Sequence, residues 1–237
     1  MQYMAKFWLD GVCSKDMGIE LQNPVKFSGA SPKVSTVTVP GKNGDLHIYE
    51  NAFENCTGNA DCFALKHDVY LTLSVITRWL FAAYGYRRLE VTEEKDTYRM
   101  ARVVNGPETE IRMQLLAPFS LEFDCKPQRF LKSGEFPIKI QSGQSLYNAW
   151  QPALPLIQIT GTGDGQLVVG KSTVNITGMA GNLMLDSEVQ NAYDGTTNKN
   201  NSISISGGFP VLEHGESLIS YSGGITAVNI TPRWWML

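Results

Sequence analysis

From Val34 to Val39 the side chains alternate: Val34, Thr36 and Thr38 lie on one face of an extended chain, and Ser35, Val37 and Val39 on the other. Pro40-Gly41 and Asn43-Gly44-Asp45 then supply turn residues, and Leu46-His47-Ile48-Tyr49 resumes strand character, which predicts a β-hairpin. Phe7-Trp8-Leu9 and Ile19-Glu20-Leu21 read as strands separated by a turn at Lys15-Asp16-Met17-Gly18. Val69 to Leu73 reads as a further strand. Ser74 then caps a short helix with an apolar stripe of Val75, Ile76, Trp79, Leu80 and Ala83, stopped by Gly85.

Tyr98 to Val104 returns to strand character, and Asn105-Gly106 turns the chain. Thr109 to Leu116 places Ile111, Met113 and Leu115 on one face, and Ser120 to Cys125 does the same with Leu121, Phe123 and Cys125. Such period-two patterns suit half-buried antiparallel strands. Lys126-Pro127 is expected to end the last of them, because proline lacks the ladder donor and restricts the residue before it. Gln128 to Gly143 contains too many breaks for a core element, and the main boundary is expected near residues 130–150.

Beyond that boundary the chain consists of short strand candidates and small polar turns. Leu156 to Thr160, Leu167 to Val169, Val174 with Ile176, Leu183 to Asp186, Ser202 to Ser206 and Ile225 to Thr231 are the strand candidates. Gly161-Thr162-Gly163-Asp164-Gly165 is expected to be a hairpin turn, as are Gly207-Gly208 and Gly223-Gly224, and Asn191 to Asn201 a polar loop. Spacing near ten residues suggests a compact β-sandwich.

Composition narrows the functional classes. Charged residues are 18% of the chain, below the roughly 25% usual for soluble domains, while Gly is abundant, which fits a folded and turn-rich protein. A formal net charge of -3 gives no general attraction for nucleic acid or anionic lipid. The longest apolar patch, Trp79 to Ala83, falls far short of the roughly 20 residues of a membrane span. Met1 to Lys6 has no basic region leading into an apolar core, so no signal peptide is expected. Synthesis in a reducing compartment follows, where Cys13, Cys56, Cys62 and Cys125 need not pair.

Candidate chemistry is sparse. Cys56 and Cys62 are spaced too widely for a zinc knuckle, and His47, His67 and His214 form no ligand pair. The glycine run lacks the lysine of a P-loop. Asp186 with Glu188, or Glu93 with Glu94, are neighbouring acids of the kind found on any surface. No Gly-x-Ser-x-Gly elbow is present. No catalytic residue, metal site or cofactor is therefore assigned. Lys126, Arg129 and Lys132, interleaved with Pro127, Phe130 and Leu131, read as a solvated or protein-facing arm. The closing Trp234 and Trp235 either complete the sandwich core or anchor an interface.

Several ordered segments carry a resemblance. They are Phe7-Trp8-Leu9-Asp10-Gly11 with Asp16-Met17-Gly18-Ile19, and Val39 to Leu46. The latter is similar to a Pro-Gly-Arg-Asp-Gly-Asp-Leu turn, with Lys42 and Asn43 in place of Arg and Asp. Trp79-Leu80, Gly85 to Leu89, Asp96 to Ala101, and Phe123 to Leu131 continue it. Ala153 to Ile157 and Phe209-Pro210 with Gly215-Glu216-Ser217 complete it. Across nearly its full length the chain resembles the distal tail protein family of long, non-contractile-tailed bacteriophages.

The resemblance implies a mainly β protein. Residues 1–135 would form an N-terminal β-sandwich-like ring domain with a short helix and extended arm. Residues 136–237 would form a galectin-like or carbohydrate-module-like β-sandwich, with the arm or linker at about 126–150. It implies a non-enzymatic structural hub at the distal end of the virion tail, made in the host bacterial cytoplasm. The hub would self-associate into a hexameric ring joining the tail tube, or a tail terminator-side protein, to a tail-associated or tip protein. Receptor-binding proteins or a cell-wall saccharide are further partners of the family, and neither nucleic acid nor a membrane is required.

Pro127, Arg129, Phe130 and Leu131 are the interface candidates: Pro127 directs the arm out of the sheet, and Phe130 and Leu131 dock it. Extended, Lys126 to Glu135 spans roughly 30 Å. The alternative is a carbohydrate-binding module for host cell-wall recognition, with Trp150, Tyr193, Tyr221, Trp234 and Trp235 as sugar or partner contacts.

Overall fold

The computed structural model describes residues 5–65, 69–108 and 116–237. The alternating stretch at 109–115 and His67 lie outside the described residues. The protein is mainly β, and it divides into two compact units, Met1–Arg129 with Leu237, and Phe130–Met236.

The first unit contains β1 (Phe7–Leu9), β2 (Val12–Cys13), β3 (Ile19–Leu21), β4 (Lys26–Phe27), β5 (Pro32–Thr38), β6 (Asp45–Phe53) and β7 (Cys56–Leu65). Helix α1 (Val69–Leu80), β8 (Arg87–Val91), β9 (Thr97–Val103) and β10 (Leu116–Leu131) follow. One antiparallel sheet runs β2-β1-β8-β9-β10-β7-β3, and β4 also pairs with β7. Its inner face presents Phe7, Leu9, Leu89, Ala101, Leu121, Phe123 and Cys125 to one apolar core. Helix α1 closes that core with Val69, Thr72, Ile76, Trp79 and Leu80. Phe7 stacks on Trp79 with ring centroids 5.9 Å apart and meets Phe123 edge-on at 5.4 Å.

Residues 69–73 are thus helical, not the expected strand. Their β-branched and aromatic composition favours a strand locally. The spacing 69, 72, 76, 79, 80 of the buried positions places them on one helical face, and burial of that face decides. Ser74 sits within the helix and donates its hydroxyl to the Tyr70 carbonyl at 3.0 Å.

Strand β10 also departs from expectation, running through Pro127 to Leu131. Its ladder with β7 ends at Cys125 opposite Cys56, so Pro127 falls where no donor to β7 is needed.

The second unit contains β11 (Ile138–Ile140), β12 (Gln144–Asn148), β13 (Leu156–Val169), β14 (Ser172–Asp186) and β15 (Asn191–Asp194). It continues with β16 (Thr197–Asn198), β17 (Ile203–Ser206), β18 (Gly215–Thr231) and β19 (Trp235–Met236). The strand order is β11-β18-β13-β14-β15-β16, with β12 on β18 and β17 on β14. Three long strands replace the many short ones expected, and the 191–201 stretch holds β15 and β16 instead of a plain loop.

Gly161 to Gly165 is no hairpin turn. It is the bulged middle of β13, and Gly223-Gly224 likewise lies inside β18. A Cβ on Gly161 would stand 2.2 Å from the Gly224 carbonyl oxygen, and one on Gly224 would stand 1.7 Å from that of Thr162. Glycine is required there by the close approach of backbones. The bend lets both halves of the same strands enclose one core. Ile157, Ile159, Val228 and Ile230 come from one half, and Leu167, Val169, Val174 and Ile219 from the other.

Candidate assembly surface

Strands β5 and β6 form a two-stranded sheet of their own. Ladder pairs put Val34 with Tyr49, Thr36 with His47 and Thr38 with Asp45 on one face, and Ser35 with Ile48 and Val37 with Leu46 on the other. Nearly every side chain on both faces is exposed, including Leu46 at 52%, Ile48 at 48% and Tyr49 at 65%. The first face is knit by polar contacts: Thr38 Oγ1 donates to Asp45 Oδ1 at 2.9 Å, and Thr36 Oγ1 lies 3.3 Å from His47 Nδ1. The second carries the adjoining aliphatic side chains Val37, Leu46 and Ile48. A two-stranded hairpin is at best marginally stable in water. Aliphatic residues open to solvent on such a hairpin make it a candidate contact surface.

The root of this hairpin is tied down. The Glu54 N–H donates to the Ser31 carbonyl at 2.8 Å, and the Ser28 N–H to that of Thr57 at 2.8 Å. Asn55 Nδ2 donates to the Tyr86 hydroxyl at 2.7 Å and to Asp124 Oδ1 at 2.8 Å. Tyr86 belongs to the loop after α1, where Phe81 and Tyr84 are also exposed, and the Lys126 ammonium lies 5.4 Å from its ring centroid. The hairpin base and this aromatic loop therefore adjoin in the first unit.

The sequence-derived candidates lie elsewhere. Arg129 Nε donates to the Leu237 carbonyl at 3.1 Å, and its guanidinium stands 3.8 Å from Glu94. Pro127 and Phe130 are half-buried. Leu131 packs on the core of the second unit, and its N–H donates to the Trp234 carbonyl at 2.8 Å.

Trp234 is itself part of that core. Trp235 Nε1 donates to the Pro152 carbonyl at 2.9 Å, and the Trp235 carbonyl accepts from the Gln151 N–H at 3.2 Å, so partly exposed Trp150 lies on a neighbouring segment. Tyr221 pairs with Leu167, whereas Tyr193 pairs with Met184 and so shares a row with Gln158, well along β13 from Leu167. The sequence predicts the hairpin, whereas the exposure of both its faces carries no sequence signal.

Burial pushes the Cys62 and Cys125 thiol pKa values up to about 12, with Asp61 adding to the rise at Cys62 and Arg99 opposing it at Cys125. Among the described residues no group of three or more His, Cys, Asp or Glu side chains could hold a metal ion. Among them, too, no helix is long and apolar enough to cross a membrane.

No family model matches the sequence, and no curated protein matches it. Among solved structures the chain is similar to the crystal structure of SPP1 Dit (gp 19.1), described as a paradigm of the hub adsorption apparatus in phages infecting Gram-positive bacteria. The match has a TM-score of 0.75 at 12% identity and covers 99% of this chain and 100% of that one. At that identity the likeness is one of fold. The chain carries the fold of this phage distal tail hub protein over its whole length.

Proposed function

We propose that the protein is a structural hub of the distal tail of a non-contractile-tailed phage, assembling as a hexameric ring that joins the tail tube to the tail-tip apparatus. The observation that carries this reading is the fold likeness to a phage hub protein across both units. It agrees with the ordered sequence segments that resemble distal tail proteins. The solvent-exposed β5–β6 hairpin supports self-association. A ring of identical chains needs a heterologous interface that closes by rotation, and a projecting strand pair with open aliphatic residues is suited to reach a neighbour.

In this reading residues 1–135 supply the ring and 136–237 an outward galectin-like sandwich that presents receptor-binding parts or meets tail-tip proteins. The work is mechanical joining, for which no turnover is required. Light scattering of the purified chain, followed by electron microscopy, tests it. The expected particle has six times the 26.2 kDa chain mass and a central pore. A monomer that also stays monomeric with tail-tube and tip proteins would overturn it.

A further inference from the structure

Cys56 and Cys125 stand directly opposite each other in the β7–β10 ladder. Paired residues of an antiparallel ladder project to the same side, with Cα atoms about 4.5 or 5.5 Å apart. Both separations fall inside the roughly 4.4–6.8 Å window that a disulfide spans. Both thiols are free and buried. The other two cysteines lack such a partner: Cys62 faces Phe119 and Leu21 across its ladders, and Cys13 faces Trp8.

Access is one-sided. A cavity of about 520 Å³ is lined by Phe27, Cys56, Glu94, Arg99, Pro127 and Arg129. Cys56 contributes to its wall, and Cys125 does not. Arg99 holds Glu94 through two hydrogen bonds of 2.8 and 3.2 Å, and Arg129 lies 3.8 Å from the same carboxylate. Arg129 also donates to the Leu237 carbonyl at 3.1 Å, and Leu237 lines the same cavity, so polar and charged groups of both signs face a small peptide disulfide there.

We propose that Cys56 and Cys125 are a latent dithiol site, which a small disulfide of the glutathione class enters through this cavity and converts to a cross-strand disulfide. The Cys56 thiolate attacks one sulfur of the reagent, its S–S bond breaks, and one small thiol departs, leaving a mixed disulfide on Cys56. Deprotonated Cys125 then attacks the Cys56 sulfur and expels the second small thiol. Two protein thiols are oxidised, one small disulfide is reduced to two thiols, and the protein's two protons pass to the departing thiolates. Burial of Cys125 makes the second step the slow one. The bridge pins the first residue of β7, three positions after the end of β6, to β10, and so fixes the root of the exposed hairpin. This inference does not depend on the proposed tail function.

The test is native incubation of the full chain with oxidised glutathione at mildly alkaline pH, then peptide mass mapping without reductant. The expected product joins the peptides holding Cys56 and Cys125, with a loss of two hydrogens in mass that a reductant reverses. Cys125→Ser should accumulate a glutathione adduct on Cys56, and Cys56→Ser should leave Cys125 unmodified. Should either variant fail to fold, wild-type mapping decides alone. Four free thiols after incubation, a bridge involving Cys13 or Cys62, or an unresolved adduct on Cys56 in the wild type would each overturn the proposal.

Discussion

Arg87 Nε donates to Asp10 Oδ2 at 2.6 Å, while Arg87 Nη1 reaches the Trp79 and Leu80 carbonyls at 2.9 and 3.2 Å. Those carbonyls belong to the last turn of α1, whose acceptors have no partner within the helix. A cation at the negative end of the helix dipole satisfies them. Arg87 is only 9% exposed, so its charge needs a counterion, and Asp10 supplies one. Asp10 also accepts the Arg88 N–H at 3.0 Å and holds a left-handed φ of 51° at the β1–β2 turn. One side chain thus joins the helix end to the sheet.

Replacing Arg87 with Met keeps the aliphatic stem and removes all three interactions. The expected cost is about 3 kcal/mol, as for a buried charge-assisted group leaving partners unsatisfied. Urea unfolding measures the loss, and hydrogen exchange locates it. The Phe81 and Ala82 amides, which bond to Thr77 and Trp79, should exchange faster. Unchanged protection there would show that the arginine does not hold the helix end.

The glycine crossing offers a paired test. Gly224→Ala drives a Cβ to 1.7 Å from the Thr162 carbonyl oxygen, so β18 must leave its place beside β13. Loss of the second unit's cooperative unfolding transition is expected. Gly208→Ala meets nothing within 4 Å but must hold a φ of 80°, which costs only about 1 kcal/mol. Circular dichroism melts of both variants compare the two effects. Equal shifts would mean that the crossing is looser than it stands here.

Asp186 gives the second unit an acid sensitivity. Arg233 donates to its two carboxylate oxygens at 2.7 and 3.0 Å. That charge-assisted fork, opposed in part by burial, holds the carboxyl below the ordinary carboxylate value. A depressed folded pKa means the contribution is complete above the unfolded pKa and disappears as pH falls through the folded one. Stability should therefore fall in acid below about pH 4. Asp186→Asn should lose about 1–2 kcal/mol at neutral pH and flatten that acid slope. Denaturant midpoints across pH 2.5–7 are the measurement, as an approximate working range. A variant with the wild-type slope would place the acid sensitivity on other carboxylates.

The parts of the fold that were legible in sequence share one cause. β1, β9 and the β5–β6 hairpin are short runs of strand-forming residues flanked by Gly, Pro or Asn, so local information suffices. The errors arise where a distant contact decides. Val69 to Leu73 is helical because Phe7 and Phe123 offer a surface that Trp79 and its neighbours cover. Gly161 stays inside a strand because Gly224, far along the chain, must touch it. The arm residues are marked in sequence by Pro127 and the interleaved charges, and the packing of Leu131 on the second unit's core follows from contacts distant in sequence. Leu46 and Ile48 are ordinary strand residues in sequence, and only the separate two-stranded sheet accounts for their being about half exposed among the described residues.

That exposure leads to a separation of assembly from stability. Leu46→Asp with Ile48→Asp changes two side chains, about half exposed, on one face of the hairpin. Because neither belongs to the apolar core, unfolding of the chain should shift by no more than about 0.5 kcal/mol per site. In the proposed ring this face is the subunit contact, and burying a carboxylate there without a partner is strongly unfavourable. The double variant should therefore keep the wild-type melting profile while its mass by light scattering drops from ring to monomer. Thr36→Ser with Thr38→Ser, on the opposite face, keeps the hydroxyls that reach His47 and Asp45 and should still assemble. A ring that forms equally well from the Asp variant would move the subunit contact away from this hairpin face.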